Sequence, residues 1–243
     1  MSYRAVLFDL DNTLVDDDAS TRRAIAAACQ EAAALVPNLS VAQLGEAYWN
    51  VSLEVWGAIA AELSNGRSPK EIAGAEFRRL CWSRSLAACG VHDDAVVTRV
   101  VESYGQWRDK ELEPFPEVEE VLAALRGRVK VAIITNGTAD THRRKLKLLG
   151  YHQLFDYCAV AGEVGLAKPD PAIFAHTAGE LGVRPEECLM VGDNAETDIA
   201  GAKAAGMRAA WFNREGWPLP EGCPEPDYVI ADLRQIIGIV EGR

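Results

Sequence analysis

The chain has 243 residues, 49% hydrophobic and 25% charged, with Lys plus Arg 25 against Asp plus Glu 36 and a formal net charge of −11. That length admits one elaborated domain or two modest ones, and the composition excludes collagen-like, coiled-coil and mainly disordered chains. The acid excess and the lack of a dense Lys/Arg run exclude a basic footprint for polymeric nucleic acid or an anionic membrane; a small phosphate ester stays admissible, because a metal ion and one lysine can reverse a local field.

The first element, Ala5–Phe8, is a short continuous apolar run ending in acids, which predicts a buried parallel strand. Helical spacing follows over Thr21–Val36, stopped by Pro37-Asn38, and over Ser40–Leu63, broken by Asn65-Gly66. Ser68-Pro69-Lys70-Glu71 carries a Ser cap, Pro at the first helical position and Glu three residues after the cap, predicting a helix to Ala88 with Gly90 beyond. A further helix fits Asp93–Lys110. After Pro114-Phe115-Pro116 strands and helices alternate. Helices are predicted over Glu117–Leu125, Asp140–Leu149, Pro171–Leu181, Glu196–Ala205 and Leu233–Val240. Strands are predicted over Val129–Ile134, Tyr157–Ala161, Cys188–Val191, Arg208–Phe212 and Tyr228–Ile230. Strands separated by helices of this length mean βαβ units and a parallel sheet, hence an α/β, Rossmann-like core sandwiched by helices. The expected division is a core of residues 1–16 and 91–243, with 91–113 as return helix and hinge, and an inserted all-helical cap over 17–90. An insertion beside a strand's C-terminal end lies at the edge where open α/β sheets bind ligands, so it is a candidate lid.

The six cysteines form no C-x-x-C and no Cys/His zinc spacing, and are read as buried, reduced thiols of a cytoplasmic protein. The N-terminus reads as no signal peptide, and no apolar run reaches the length of a membrane span. His92, His142, His152 and His176 are read as surface or partly buried residues. Nothing in the sequence marks an oligomeric state.

Four polar clusters each follow a predicted strand, so all four converge on one sheet edge. Asp9-Leu10-Asp11-Asn12-Thr13 places two carboxylates two residues apart at a strand end. Projecting toward one site they need a cation or a shared proton; otherwise they are a solvated turn. Thr135-Asn136-Gly137-Thr138 offers a hydroxyl and loop N–H groups for an anion, or a simple helix cap. Lys168, before Pro169-Asp170-Pro171, is either a fixed charge for phosphate or a surface lysine. In Gly192-Asp193-Asn194-Ala195-Glu196-Thr197-Asp198, Asp193 suits a Mg²⁺ oxygen ligand, against an acidic helix start that suits Glu196 better.

The order, spacing and strand context of these clusters, with Ile199–Met207 after the fourth, resemble the haloacid dehalogenase-like hydrolase superfamily. The insertion's place between the first and second clusters is similar to the C1-capped phosphatase branch. The resemblance implies a Mg²⁺-dependent phosphomonoesterase acting on a small phosphorylated metabolite, a nucleoside monophosphate or sugar phosphate. It implies Asp9 as nucleophile forming an aspartyl phosphate, and Asp11 as general acid and then base. It implies Mg²⁺ on the Asp9 carboxylate, the Asp11 carbonyl and Asp193, with Asn194 and Asp198 in support. Phosphate would contact Asp9, Leu10, Asp11, Thr135, Asn136 and Lys168, and Lys168 would neutralise the transferring group. Thr135-Asn136-Gly137 looks more like pyrimidine 5′-nucleotidases and N-acylneuraminate-9-phosphatases than mutases. The alternatives are a β-phosphoglucomutase-type mutase and a 2-haloacid dehalogenase. The dehalogenase pattern shares the tail Trp211–Gly216 but lacks the second Asp and the fourth-cluster acid, both present here as Asp11 and Asp193. Tyr48, Trp49, Trp56 and Trp82 are candidate substrate contacts in the lid, with core packing as the other reading. Trp107 and Phe115 are expected to pack at the return hinge, and Asp16, Asp17 and Asp18 to be solvated hinge acids.

Overall fold

Ala-Val-Leu-Phe at 5–8 has no polar side chain, and a strand of that kind is stable only with both faces covered. The computed structural model, which describes residues 3–64 and 67–242, buries all four residues at the centre of a six-stranded sheet. The predicted break at Asn65-Gly66 lies outside the described residues. The strands are β1 (Ala5–Phe8), β2 (Lys130–Thr135), β3 (Tyr157–Val160), β4 (Cys188–Gly192), β5 (Arg208–Phe212) and β6 (Tyr228–Ile230). All pair in parallel, in the order β3-β2-β1-β4-β5-β6. Val6 lies beside Val131 on one side and Leu189 on the other, so β1 is flanked by the strands that precede the second and fourth clusters. The order reverses at β1 and β4, the switch point where open α/β sheets bind ligands.

The helices are α1 (Asp17–Leu35), α2 (Val41–Ser64), α3 (Gly74–Ala88), α4 (Asp94–Lys110), α5 (Val118–Leu125), α6 (Ala139–Leu148), α7 (Ala161–Val164), α8 (Pro171–Glu180), α9 (Ala200–Ala204) and α10 (Gln235–Glu241). Alternate strand residues Ala5, Leu7, Ala132, Ile134, Met190 and Ala209 form one core with Ile173 and Phe174 of α8 and Ala202 of α9. The intervening Val6, Phe8, Ile133, Leu189, Val191 and Ala210 point to the opposite face and are also buried.

Two compact units result, residues 1–16 with 114–243, and Asp17–Glu113. The first closes where its chain leaves and re-enters: Val15 bridges Pro114, and Phe115 N–H donates to Leu14 O at 3.0 Å. The second has its own core of Ala24, Ala28 and Ala32 from α1, Leu44 and Tyr48 from α2, Trp82 from α3, and Val97, Val100 and Tyr104 from α4. The return segment expected in the core, 91–113, therefore packs as α4 on the helical insertion, because its apolar face fits α1 and α3.

One predicted helix start is corrected, and the partners of several residues become visible. The helix predicted from Ser68 makes a single 3₁₀ turn, Pro69–Glu71, with Lys70 N–H donating to Ser68 Oγ at 3.4 Å; Ile72 and Ala73 are extended, and α3 starts afresh at Gly74. A glycine at that point costs about 1 kcal/mol in a continuous helix, so the cap signal does not propagate through it. Tyr48 and Trp82 are core, with ring centroids 4.1 Å apart and exposures of 2% and 0%. Trp49 instead lies under the Arg22 guanidinium at 4.1 Å, and Trp56 is 38% exposed. Asp17 is not simply solvated: its Oδ1 pairs with Arg108 Nη2 at 2.6 Å. Cys29, Cys81, Cys158 and Cys188 are buried free thiols, while Cys89 and Cys223 are half-buried.

Candidate active site

Asp9 is the first residue past β1. Its N–H still donates to Val191 O at 2.9 Å, so the sheet ladder fixes its backbone. The chain then turns sharply: Leu14 and Val15 N–H groups donate to Leu10 O at 2.9 and 3.0 Å, with Asn12 at φ +63°. Asparagine tolerates that left-handed conformation. The turn reverses Asp11 and Thr13 back toward the sheet edge.

Asp9 is 6% exposed, which removes the solvated-turn reading. Lys168, 5% exposed, is no surface lysine: its Nζ pairs with Asp9 Oδ1 and lies 2.6 Å from Asp198 Oδ1. Asn136 fixes the Lys168 backbone with a two-point amide clamp. Its Nδ2 donates to Lys168 O and its Oδ1 accepts from Lys168 N, both at 2.7 Å. The Asn136 side chain is thereby committed, which leaves its backbone N–H for any anion. The helix-cap reading of this cluster is not realised, since α6 starts after Thr138 without a side-chain cap bond; Thr135 ends β2 at 2% exposure.

Across the switch point, Asp193 follows β4. Its N–H donates to Thr13 Oγ1 at 3.1 Å, Thr13 Oγ1 lies 3.3 Å from its Oδ1, and Trp211 Nε1 donates to its carbonyl at 2.7 Å. Asn194 Oδ1 accepts from Glu196 and Thr197 N–H at 3.0 Å each, opening a π turn, Ala195–Ile199, where a plain α-helix was expected. The wide turn carries Asp198 back under the strand end, where its Oδ2 accepts from Asn194 N–H at 3.1 Å. Single π turns of this kind concentrate at functional sites. Gly192 makes room, since a Cβ there would overlap the Asp198 carboxylate.

Ligand oxygens of Asp9, Asp193 and Asp198 thus lie within 4.8 Å of one another. Burial raises the Asp9 carboxyl well above its ordinary value and outweighs Lys168; Asp198 and Asp193 raise it further. Burial, then Asp198, pushes Asp193 up to about 7. Burial opposes the charge on Lys168, but Asp198 and Asp9 more than restore it and hold its pKa high. Three carboxylates against one ammonium leave an excess of negative charge, and hard oxygen donors of this kind fit a divalent cation such as Mg²⁺.

Asp11 stands apart from this cluster. Lys145 Nζ reaches both its oxygens at 2.8 and 2.9 Å, and His142 Nε2 lies 3.1 Å from Oδ2. Burial would raise its pKa, but Lys145 and then His142 overcome it and hold the carboxyl well below the usual range. His142, read from the sequence as surface or partial core, is therefore 8% exposed beside a site residue, and Lys145 was not singled out at all. The His-x-x-Lys spacing on one helix face was the available signal. Thr13 and Trp211 were missed too, as their roles depend on partners far along the chain.

The switch-point position, the carboxylates after β1 and β4 and the buried lysine define an acid-rich site, fit for a divalent cation, at the edge of a parallel α/β sheet. The family model "haloacid dehalogenase-like hydrolase" matches residues 3–206. N-acylneuraminate-9-phosphatase of Rattus norvegicus is 30% identical over 247 residues, covering 98% of this chain and 94% of that protein. Among solved structures, the HAD-hydrolase YfnB from Bacillus subtilis, bound to magnesium, superposes with a TM-score of 0.77 at 21% identity, covering 99% of both chains. A 2-haloacid dehalogenase from Pseudomonas syringae pv. Tomato is 30% identical with a TM-score of 0.70, again covering 99% of both chains. The chain belongs to the haloacid dehalogenase-like hydrolases.

Proposed function

We propose that the protein is a Mg²⁺-dependent phosphomonoesterase that hydrolyses a small phosphorylated metabolite, a sugar phosphate or nucleoside monophosphate, through an aspartyl phosphate. The observation that carries this reading is the separation of two carboxyl environments two residues apart. Asp9 belongs to a buried, cation-demanding cluster, and Asp11 has its own donors outside it.

Asp9 attacks phosphorus as the ester P–O bond breaks, and Asp11, which takes a proton from solvent as the phosphate dianion beside it opposes its negative charge, gives that proton to the departing oxygen. Asp11 then takes a proton from water as that water attacks the aspartyl phosphate, releasing phosphate and restoring Asp9. Lys168, fixed by Asn136, screens Asp9 from the phosphate dianion; Thr135 and the backbone N–H groups of Leu10, Asp11 and Asn136 are the donors for phosphate oxygens. Asp9, Asp193 and the Asp11 carbonyl would hold the divalent cation, with Asp198 and Asn194 supporting them. The cation would supply the remaining charge neutralisation.

A second reading, 2-haloacid dehalogenation, draws on the similarity to the Pseudomonas syringae enzyme. It leaves Asp11 without work, because a departing halide needs no proton. A phosphomutase would share every residue named here. Incubation with p-nitrophenyl phosphate, then with sugar phosphates and nucleotides, with Mg²⁺ and with EDTA, tests the proposal. Mg²⁺-dependent phosphate release is expected. Failure across that panel, or halide release from 2-chloropropionate, would overturn it.

A further inference from the structure

Strand β4 ends at Gly192, so Asp193 stands one residue beyond the sheet. Side chains hold its backbone in place of the ladder. Its N–H donates to Thr13 Oγ1 at 3.1 Å, and its carbonyl accepts from Trp211 Nε1 at 2.7 Å. The N–H of that second peptide, which belongs to Asn194, donates to Asp198 Oδ2 at 3.1 Å. The C=O and N–H of a flat trans peptide point opposite ways, so Trp211 and Asp198 grip one plane from its two edges. The peptide before Asp193 is tied to Thr13 and the peptide after it to Trp211 and Asp198. Both soft dihedrals of Asp193 are thereby set, and with them the direction in which its carboxylate leaves the chain.

Trp211 differs from the other two holders. Thr13 also meets the Asp193 carboxylate, 3.3 Å from Oδ1, and Asp198 is itself a member of the acidic cluster. Trp211 offers the cluster no oxygen, and its indole can only donate. It stands on β5 beside Gly192, is 6% exposed, and packs in the core with Met190, Ala195 and Ile199. A large buried ring has few rotamers open to it, so its single donor is delivered from a rigid place.

We infer that Trp211 is a positioning residue that fixes the aim of Asp193 and thereby sets the preference of the acidic site for Mg²⁺ over Ca²⁺. This rests on Asp193 as a ligand of the divalent cation. Mg²⁺ needs short bonds in near-octahedral array, whereas Ca²⁺ accepts longer and less regular ones. A ligand that loses its aim therefore costs Mg²⁺ more than Ca²⁺.

The test follows Tm against MgCl₂ and against CaCl₂, at pH 8 and constant ionic strength, in the whole chain stripped of metal with EDTA and desalted. Wild type, Trp211→Phe and Trp211→His are compared, and the rise of Tm with cation concentration gives an apparent Kd without any turnover. Phenylalanine keeps a ring in the core and has no N–H. Histidine carries Nε2 at the same place in its five-membered ring as the indole Nε1 and lacks the outer ring. Trp211→Phe is expected to weaken Mg²⁺ by at least about tenfold and Ca²⁺ by under about threefold. Trp211→His is expected to stay within about threefold of wild type for both cations, although it packs worse. Circular dichroism checks folding, and if Trp211→His does not fold, the two cations in Trp211→Phe decide. If wild type answers to Mg²⁺ alone, the Mg²⁺ losses of the two variants decide. Equal losses for the two cations in Trp211→Phe, no loss, or a loss as large in Trp211→His overturns the positioning role. A wild-type Tm that neither cation raises overturns the reading of Asp193 as a ligand first, and this inference with it.

Discussion

At the residue scale the acidic cluster sets opposite demands on the two neighbouring aspartates. Asp9 and Asp193 keep protons in the folded, cation-free chain at pH values where the unfolded chain, with Asp pKa near about 3.9, has lost them. The folded state then binds more protons, so these groups make stability fall as pH rises from about 4 toward 7. Asp11 has the opposite sign: its stabilisation is present above the unfolded pKa and is lost only as pH falls toward its depressed folded value. In EDTA, Asp193→Asn is expected to raise Tm at pH 8, at about 2–4 °C per kcal/mol, and to abolish most of the Tm rise on adding Mg²⁺. Calorimetry with and without Mg²⁺ measures both, and an undiminished Mg²⁺ shift would remove Asp193 as a ligand. Asp9→Asn is expected to cut turnover of p-nitrophenyl phosphate to background with circular dichroism unchanged, because an amide is no nucleophile for phosphorus. Substantial residual turnover would exclude Asp9 from that role.

At the element scale, short backbone devices aim the side chains. The left-handed Asn12 turns the chain back after Asp11, and the π turn after Asn194 returns Asp198 to Lys168. Gly192 permits that return, since any side chain there collides with the Asp198 carboxylate. Gly192→Ala is therefore expected to displace Asp198 and destabilise the fold by about 1–3 kcal/mol, as overpacking does. A denaturant titration measures the loss, and a midpoint equal to wild type would show that Asp198 moves without cost. The sequence singles out Asp9 and Asp193 because each stands directly after a strand, and Asp11 and Lys168 because they lie on the connections that follow β1 and β3. It did not carry the π turn, since Glu196–Ala205 has ordinary helical spacing and the bonds that go with the wider turn, Asn194 to Asp198 and Lys168 to Asp198, form only in the folded site.

At the scale of the whole molecule, the core's chain leaves and returns at one point, where Val15 bridges Pro114. Arg214 anchors the return, lying over the Phe115 ring at 4.2 Å and pairing with the buried Glu117. A chain in which residues 17–113 are replaced by a short Gly-Ser linker is expected to fold, because the first unit keeps its whole sheet and core. It is expected to unfold cooperatively and to keep the Mg²⁺-dependent rise in Tm. A broad, non-cooperative melt would mean that the core depends on the insertion. No helix among the described residues is long and apolar enough to cross a membrane.

The net charge is −11, and the acids Asp9, Asp193 and Asp198 gather at one strand edge, where they create the demand for a cation. Sequence alone determined the strands and the positions of the four clusters. Those signals are local, resting on apolar runs, glycine stops and polar residues at strand ends. Tertiary structure alone decided which clusters meet. The strand order sets β1 between β2 and β4, the Asn136 amide grips the Lys168 backbone, and α6 delivers His142 and Lys145 to Asp11. Periodicity tells which face of an element is covered. It does not tell which distant charge covers it, so the partners of Asp11 and the burial of Lys168 became visible only once the sheet had assembled.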